Sequence, residues 1–199
     1  MSGLPAVYTL PTALEVNGTE YAIRSDYRAI LRILTAQNDP DLPTEGKAEV
    51  MLRILYKDWK DIPEEDLGKA IEKAVWFIDC GQGSDSQKKK RPRLMDWEQD
   101  AMMIIIAINA ETRMEVRSVP YMHWWTFFGY YMSIGESLFS TVVSIRSKKA
   151  RGKKLEKYEL DFLKENRDLV TLKERKSQEE EEQIRREKEA VLAFLDGGG

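Results

Sequence analysis

Cysteine and histidine are nearly absent from this 199-residue chain, which has one of each, Cys80 and His123. A single cysteine excludes an internal disulfide bond and any multi-cysteine metal site, and it is typical of a reducing compartment. A single histidine excludes the paired-histidine metal motifs, and the sequence has no glycine-rich phosphate loop or nucleophile elbow. We therefore expect no cofactor, no metal ion and no enzymatic activity.

Net charge is also small, because 31 basic residues nearly balance 34 acidic residues and leave a formal charge of −3. The charges are segregated, with basic runs at residues 88–93 and 146–154 and an acidic run at residues 179–182. Clustered Lys and Arg attract phosphate backbones, so a nucleic-acid-associated adaptor that uses the basic runs is an alternative function. Neither run has the interleaved aromatic residues of a base-stacking platform, and solvated loops also explain both.

The chain has one long apolar stretch, residues 121–146, which is rich in aromatic residues and includes Trp124 and Trp125. It is long enough to cross a bilayer, but Glu136 lies near its middle, where a carboxylate costs about 2.5 kcal/mol or more. The Gly135-Glu136-Ser137 step predicts a break between two shorter helices. We expect a buried helical hairpin within a soluble bundle, with a membrane span as the alternative.

The remaining pattern predicts a mainly α protein, a compact helical bundle with a short N-terminal β-hairpin. Asn17-Gly18 between two short β-favouring runs predicts a type I′ turn. Apolar residues at helical spacing predict one helix after Ser25 or Asp26, a second that ends near Trp59, and a third that begins around Pro63. The third helix is expected to bury a stripe made of Leu67, Ile71, Ala74, Val75 and Ile78.

A fourth helix is predicted over residues 96–112, and it is apolar on every side between residues 102 and 108. A helix without a polar face is enclosed by others, so we expect residues 102–108 to form the centre of the bundle. Asp96, Glu98 and Asp100 in its first turns are explained by capping and the helix dipole rather than by cation binding.

His123 is the only candidate for a general base. It lies between Met122 and Trp124, and the sequence shows no positioned nucleophile or orienting acid beside it. We interpret it as an imidazole that is hydrogen-bonded within an aromatic cluster, because buried polar groups normally have partners.

The composition changes after Arg151-Gly152, so we divide the chain into a hairpin plus helical bundle, residues 1–152, and a C-terminal extension, residues 153–199. Scattered leucines predict one surface helix, and the almost wholly charged residues 173–188 predict a partly disordered helix. This segment is expected either to fold against a partner or to act as a solubilising tail. Its candidate partner-binding residues are Ile184, Val191, Leu192, Phe194 and Leu195.

Three motifs resemble one known family. Residues 10–31 read as a hairpin followed by an Asp-x-Arg helix, residues 96–100 read Asp-Trp-Glu-Gln-Asp, and residues 122–127 read Met-His-Trp-Trp-Thr-Phe, with Ile145-Arg146 further on. Together they resemble the bacteriophage gene-product-fifteen family of tail proteins over residues 8–155. The chain departs from that family at residues 111–117, where a Tyr-Gly turn is expected. The signature residues are Asp96, Gln99, Asp100, His123, Trp124 and Trp125.

The resemblance implies a non-enzymatic tail-assembly chaperone, which binds the tape-measure protein and helps to recruit tail-tube subunits. It implies action in the host cytoplasm during assembly, with no membrane as partner. A homo-oligomer is a further expectation. No catalytic residues come with the resemblance.

Overall fold

The computed structural model describes residues 8–82 and 92–196, and for residues 181, 188 and 190–196 it describes the backbone alone. Within these ranges the chain forms a two-stranded antiparallel hairpin and nine α-helices, which confirms the mainly α fold class. The strands are β1 (Ala13–Val16) and β2 (Thr19–Ala22). The helices are α1 (Tyr27–Gln37), α2 (Thr44–Leu55), α3 (Leu67–Ile78), α4 (Ala101–Thr112), α5 (Trp124–Met132), α6 (Leu138–Ala150), α7 (Lys157–Glu165), α8 (Arg167–Val170) and α9 (Gln178–Asp196).

The N-terminal hairpin forms where the sequence predicts it. Asn17 and Gly18 adopt φ values of 47° and 87°, the positive-φ pair that a type I′ turn requires. Leu14 and Val16 point from β1 into the core, and β1 packs against α3. The hairpin therefore closes one side of the helical body instead of standing alone.

The chain segments just before α1 and just after α2 are joined by backbone pairing that the sequence does not reveal. Of the two predicted capping residues, Ser25 and Asp26, it is Asp26 that caps α1, and its Oδ1 accepts a hydrogen bond of 2.9 Å from the Arg28 amide. α2 ends at Leu55, earlier than predicted. The reason is that Tyr56 turns extended and pairs with Ile23, so that the chain after β2 runs beside the chain after α2.

The buried face of α3 is shifted from the predicted stripe. Ala70, Ala74 and Phe77 are fully buried, whereas Val75 is 37% exposed, so the prediction for Val75 was wrong. After α3 the chain turns at Gly81, whose φ of 76° is a conformation that glycine adopts without strain.

The prediction that residues 102–108 form the centre of the bundle was wrong. α4 buries Met103, Ile104 and Ile108, but Met102 and Ile106 are 59% and 60% exposed. The reason is that α5 and α6 both pack on α4 and leave its opposite face uncovered. α4 also begins five residues later than predicted, because residues 97–100 form a turn.

The aromatic stretch is broken into α5 and α6, as the sequence predicts. Ser137 caps α6 in a reciprocal box with Ser140, in which each hydroxyl accepts a hydrogen bond from the other residue's amide. No helix in residues 8–82 or 92–196 is long and apolar enough to cross a membrane.

The C-terminal region contains two short helices, α7 and α8, where one amphipathic helix was predicted. α8 packs on α6, and Leu155 and Val170 are buried. Residues 155–170 therefore lie against the helical body. Residues 83–91, which include most of the first basic run, lie outside the described ranges.

Candidate functional site

The signature residues of the sequence fall into two groups in the structure. The first group, which we call the aromatic cluster, consists of His123, Trp124 and Trp125 at the start of α5 and Phe77 at the end of α3. The rings of Phe77, His123 and Trp125 contact one another. Asp96 and Asp100 form a second group with Arg146 and Arg175, which we call the junction. All the signature residues are buried or half-buried.

His123 caps α5 with its side chain. Its Nδ1 accepts a hydrogen bond of 3.1 Å from the Trp125 amide, so the ring proton is on Nε2, which donates to the carbonyl of Pro11 over 2.9 Å. Burial lowers the pKa of His123, and the bond to Pro11 opposes this effect only in part. One nitrogen of a neutral imidazole thus caps α5 and the other holds it to the N-terminal segment, so the ring is hydrogen-bonded within an aromatic cluster, as the sequence predicted.

The two tryptophans of the cluster satisfy the last carbonyls of α3. The indole Nε1–H of Trp124 donates to the carbonyl of Ile78 and that of Trp125 donates to the carbonyl of Phe77, each over 2.8 Å. Carbonyls in the last turn of a helix have no partner within the helix. The start of α5 therefore completes the end of α3.

At the centre of the junction, Arg146 of α6 forms an ion pair with Asp100, which directly precedes α4. Nη1 and Nη2 of Arg146 donate to the two carboxylate oxygens of Asp100 over 2.6 Å and 3.0 Å. The two side chains are only 5% and 0% exposed. Such a bidentate pair fixes both the distance and the relative orientation of the two helices.

The remaining donors of Arg146 bind backbone carbonyls. They reach Leu94 at 3.1 Å, Leu169 at 2.6 Å and Val170 at 2.8 Å. With the two bonds to Asp100, all five N–H groups of the guanidinium are used. One side chain thereby joins three parts of the chain: the segment before α4, α6, and the end of α8.

Asp96 is the second carboxylate of the junction. It is buried, and burial alone raises a carboxyl pKa, but the amides of Gln99 and Glu98 and the guanidinium of Arg175 outweigh that effect and lower the pKa of Asp96 to about 2. Arg175 donates to both of its oxygens over 3.1 Å, and Arg93 forms a further ion pair with it. Asp96 is therefore ionised throughout the neutral range.

Residues 169–175 cross over this site, and we call them the strap. In addition to the bonds from Arg146, the side chain of Gln99 donates to the carbonyl of Thr171 over 2.8 Å and accepts from the amide of Lys173 over 2.9 Å. Arg175 then anchors the end of the strap on Asp96 and on Glu98, at 2.8 Å. Two residues separate the strap from the start of α9.

Trp97 connects the junction to the aromatic cluster. It lies between Asp96 and Glu98 in sequence, and its ring contacts those of Trp124 and Tyr131 with centroid distances of 6.0 Å and 4.9 Å. The two groups of signature residues therefore belong to one continuous interior.

The predicted partner-binding residues lie in α9, outside both groups. Ile184 is half-buried, and a surface cleft there is also lined by Asn38 and Pro40 and by Arg93 and Arg175 at the edge of the junction. The side chains of Val191, Leu192, Phe194 and Leu195 lie outside the described part of the structure. Ile184 thus shares a cleft with the Arg175 end of the junction, and no described contact brings it to the aromatic cluster.

Several basic side chains of the two basic runs already form ion pairs within the chain. Arg93 binds Asp96, Arg146 binds Asp100, and Lys148 binds the buried carboxylate of Glu159 over 2.7 Å. Residues 88–91 of the first run lie outside the described ranges. A phosphate-binding surface built from residues 146–154 would therefore lack two of its cations.

Reasoning from the sequence missed the pairing within the junction. It assigned Asp96 and Asp100 to helix capping, and although Arg146 was part of the motif it was given no partner. A signal was present, because Arg146 follows Val142, Val143 and Ile145 of a helix, and an arginine on an apolar face needs a buried anion. Among the described residues, no group of three or more His, Cys, Asp or Glu side chains could hold a metal ion.

The fold and the two groups define a mainly helical protein whose charged and aromatic signature residues join distant chain segments. The family model described as Bacteriophage Gp15 protein matches residues 7–172, most of the chain, and the chain belongs to this family. The match includes Asp100, Arg146 and the first residues of the strap, and it ends before Arg175 and α9. No curated protein and no solved structure matches the chain.

Proposed function

We propose that this phage protein is a tail-assembly chaperone, which binds the tape-measure protein and helps to recruit tail-tube subunits in the host cytoplasm. Membership of the Bacteriophage Gp15 protein family supports a role in the phage. The observation that carries the proposal is the way in which the strap and α9 are attached to the body.

α9 is held at its beginning. The amide of Gln178 donates to the carboxylate of Asp41 over 2.9 Å, Ser177 and Glu180 form a reciprocal cap, and Arg175 anchors the strap just before them. Of the α9 side chains that the structure describes, Ile184 alone is half-buried and the others are exposed. The helix is thus fixed at one end and offers most of its length to a partner.

The sequence of α9 also favours partner binding. Four large apolar residues follow Ile184 in its last turns: Val191, Leu192, Phe194 and Leu195. Isolated helices of this length are marginal in water, so a largely charged helix needs its apolar residues buried to be stable. A tape-measure protein is a long helical polypeptide, and an amphipathic helix recognises such a partner through an apolar stripe.

Co-purification of the full chain with the tape-measure protein of the same phage tests the proposal. Truncation after Ser177 keeps the strap and removes α9, and we expect it to abolish co-purification. The double variant Leu192→Asp with Leu195→Asp should also lose binding, at least about tenfold, because it removes apolar area from the helix.

The matched control is Glu179→Gln with Glu182→Gln, which lowers the charge of α9 and keeps both its apolar residues and the cap between Ser177 and Glu180. It separates a partner-binding helix from a solubilising tail, and it should leave co-purification unchanged. If the truncated chain still captured the tape-measure protein, α9 would not be the binding segment. Recruitment of the tail-tube subunit is read in the same assay, by its retention on the complex of the other two proteins.

A further inference from the structure

An apolar groove lies between the end of α5 and the outer face of α6, separate from the junction. Its volume is about 520 Å³. Met132, at its edge, is 66% exposed. The other large apolar side chains that line it are Leu94, Tyr131, Ile134, Phe139 and Val143.

The rim of the groove on the α6 side is positively charged. Lys148, Arg151 and Lys153 line it. Lys148 is already paired with Glu159 at 2.7 Å, whereas Arg151 and Lys153 form no ion pair with any side chain that the structure describes. An apolar floor with unpaired cations at its edge complements an apolar segment that is flanked by carboxylates.

The last turns of α9 have this composition. Residues 190–195 read Ala-Val-Leu-Ala-Phe-Leu, with Glu187 and Glu189 before them and Asp196 after them. Ile184, Val191 and Leu195 are separated by seven and four residues and so share one face of a helix. Over its whole length α9 carries seven carboxylates and three basic residues.

The α9 of the same chain begins on another surface. It starts on Asp41, and the cleft at Ile184 is lined by Asn38 and Pro40, none of which lines the groove. Leu195 follows eleven residues later, about 16 Å further along the helix axis. The apolar turns thus extend well past the point at which α9 is attached.

We propose that the groove between α5 and α6 binds the last turns of α9 from a second copy of this chain, so that two chains exchange their C-terminal helices. Each groove supplies an apolar floor and two free cations, and each helix supplies the apolar stripe and its carboxylates. Exchange of one element between identical chains closes into a two-fold dimer. The inference goes beyond the proposed function, because its partner is the chain itself.

The test is the mass of the full chain in solution, measured by sedimentation velocity from low to high micromolar concentration without any phage partner. We expect a concentration-dependent dimer that weakens as salt is raised. Met132→Asp in the groove and Leu192→Asp in α9 should each weaken dimerisation at least about tenfold. Met102→Asp is the matched control, since Met102 is similarly exposed but does not line the groove.

The decisive measurement mixes the two variants. Met132→Asp keeps an intact α9 and Leu192→Asp keeps an intact groove, so the mixture should form a heterodimer through one restored contact although neither variant pairs with itself. A wild-type chain that stays monomeric at all concentrations would overturn the inference, whether α9 binds in its own chain or awaits another protein. Dimers that are lost with Leu192→Asp but unaffected by Met132→Asp would also overturn it, because the helices would then pair with each other. A monomer that still captures the tape-measure protein would contradict this inference and leave the proposed function standing.

Discussion

The aromatic cluster and the junction both join distant parts of the chain, but they use different chemistry. The cluster places neutral ring N–H groups on the last carbonyls of α3 and surrounds them with aromatic area. The junction buries charges, and all five donors of its central arginine are satisfied, two by Asp100 and three by backbone carbonyls. Burial alone therefore does not determine how much stability a substitution removes. Loss of one partner is far more costly where the group left behind is charged.

The largest effect is expected at the centre of the junction. Arg146→Ala leaves the fully buried Asp100 without its counter-ion and three carbonyls without donors, and it should lower the free energy of unfolding by about 3–5 kcal/mol. Urea denaturation measures the loss. The double variant Arg146→Met with Asp100→Leu removes both charges and should cost less than Arg146→Ala. If it cost more, the charge left behind would not be the source of the effect.

A smaller effect is expected in the aromatic cluster. His123→Phe keeps the ring but loses the bonds to the Trp125 amide and the Pro11 carbonyl, so we expect a loss of about 1–3 kcal/mol. Because burial lowers the pKa of His123, the unfolded chain takes up a proton first as the pH falls below about 6.5, and the wild type loses stability there. His123→Phe should be insensitive to pH in that interval. Equal slopes for the two proteins between pH 7 and 5 would show that His123 does not titrate as described.

Acid should affect the junction in a lower pH interval. The pKa of Asp96 is held at about 2 in the folded protein, below its ordinary value of 3.8, so its contribution is complete above about pH 4 and is lost as the pH falls toward 2. Arg175→Gln removes one of its donors, which should raise that pKa and move the onset of acid unfolding to higher pH. At neutral pH we expect a cost of about 1 kcal/mol.

Arg186→Gln is the control for Arg175→Gln, since it removes an arginine that is paired with Glu182 on the exposed surface of α9. It should leave unchanged both the free energy of unfolding at neutral pH and the pH at which acid unfolding begins. If both variants began to unfold at the same raised pH, the shift would come from the loss of one positive charge and not from the loss of the bond to Asp96.

The smallest effect is expected on the open face of α4. Ile106 is 60% exposed, so Ile106→Lys should change stability by less than about 0.5 kcal/mol. Ile108, two residues further along the same helix, is fully buried, and Ile108→Lys should prevent stable folding. A comparable loss in both variants would restore the view of α4 as an enclosed helix.

The sequence predicts well where structure depends on neighbours along the chain. The type I′ turn at Asn17-Gly18, the Asp26 cap and the break before Ser137 all involve residues within a few positions of one another. The two helices flanking that break were likewise predicted, because large apolar residues are dense there.

The sequence fails where the answer depends on which distant segments meet. Asp100 and Arg146 are 46 residues apart, and Asp96 and Arg175 are 79 apart, so local pattern offers capping as a sufficient explanation for the acids. The exposed face of α4 was missed for a related reason. The apolar sequence of α4 indicates that much of the helix is buried. Which side stays exposed to solvent depends on where α5 and α6 pack against it.

The order in which the chain is synthesised gives the complete use of Arg146 a further consequence. Asp100 and Arg146 both leave the ribosome before Leu169 and Val170, the residues whose carbonyls accept two of the five donors. A nascent chain can therefore form the ion pair early but still lacks the oxygens that complete its surroundings. The junction can be completed only after Val170 has been synthesised. Chains truncated before Val170 should therefore be more susceptible to cellular proteases.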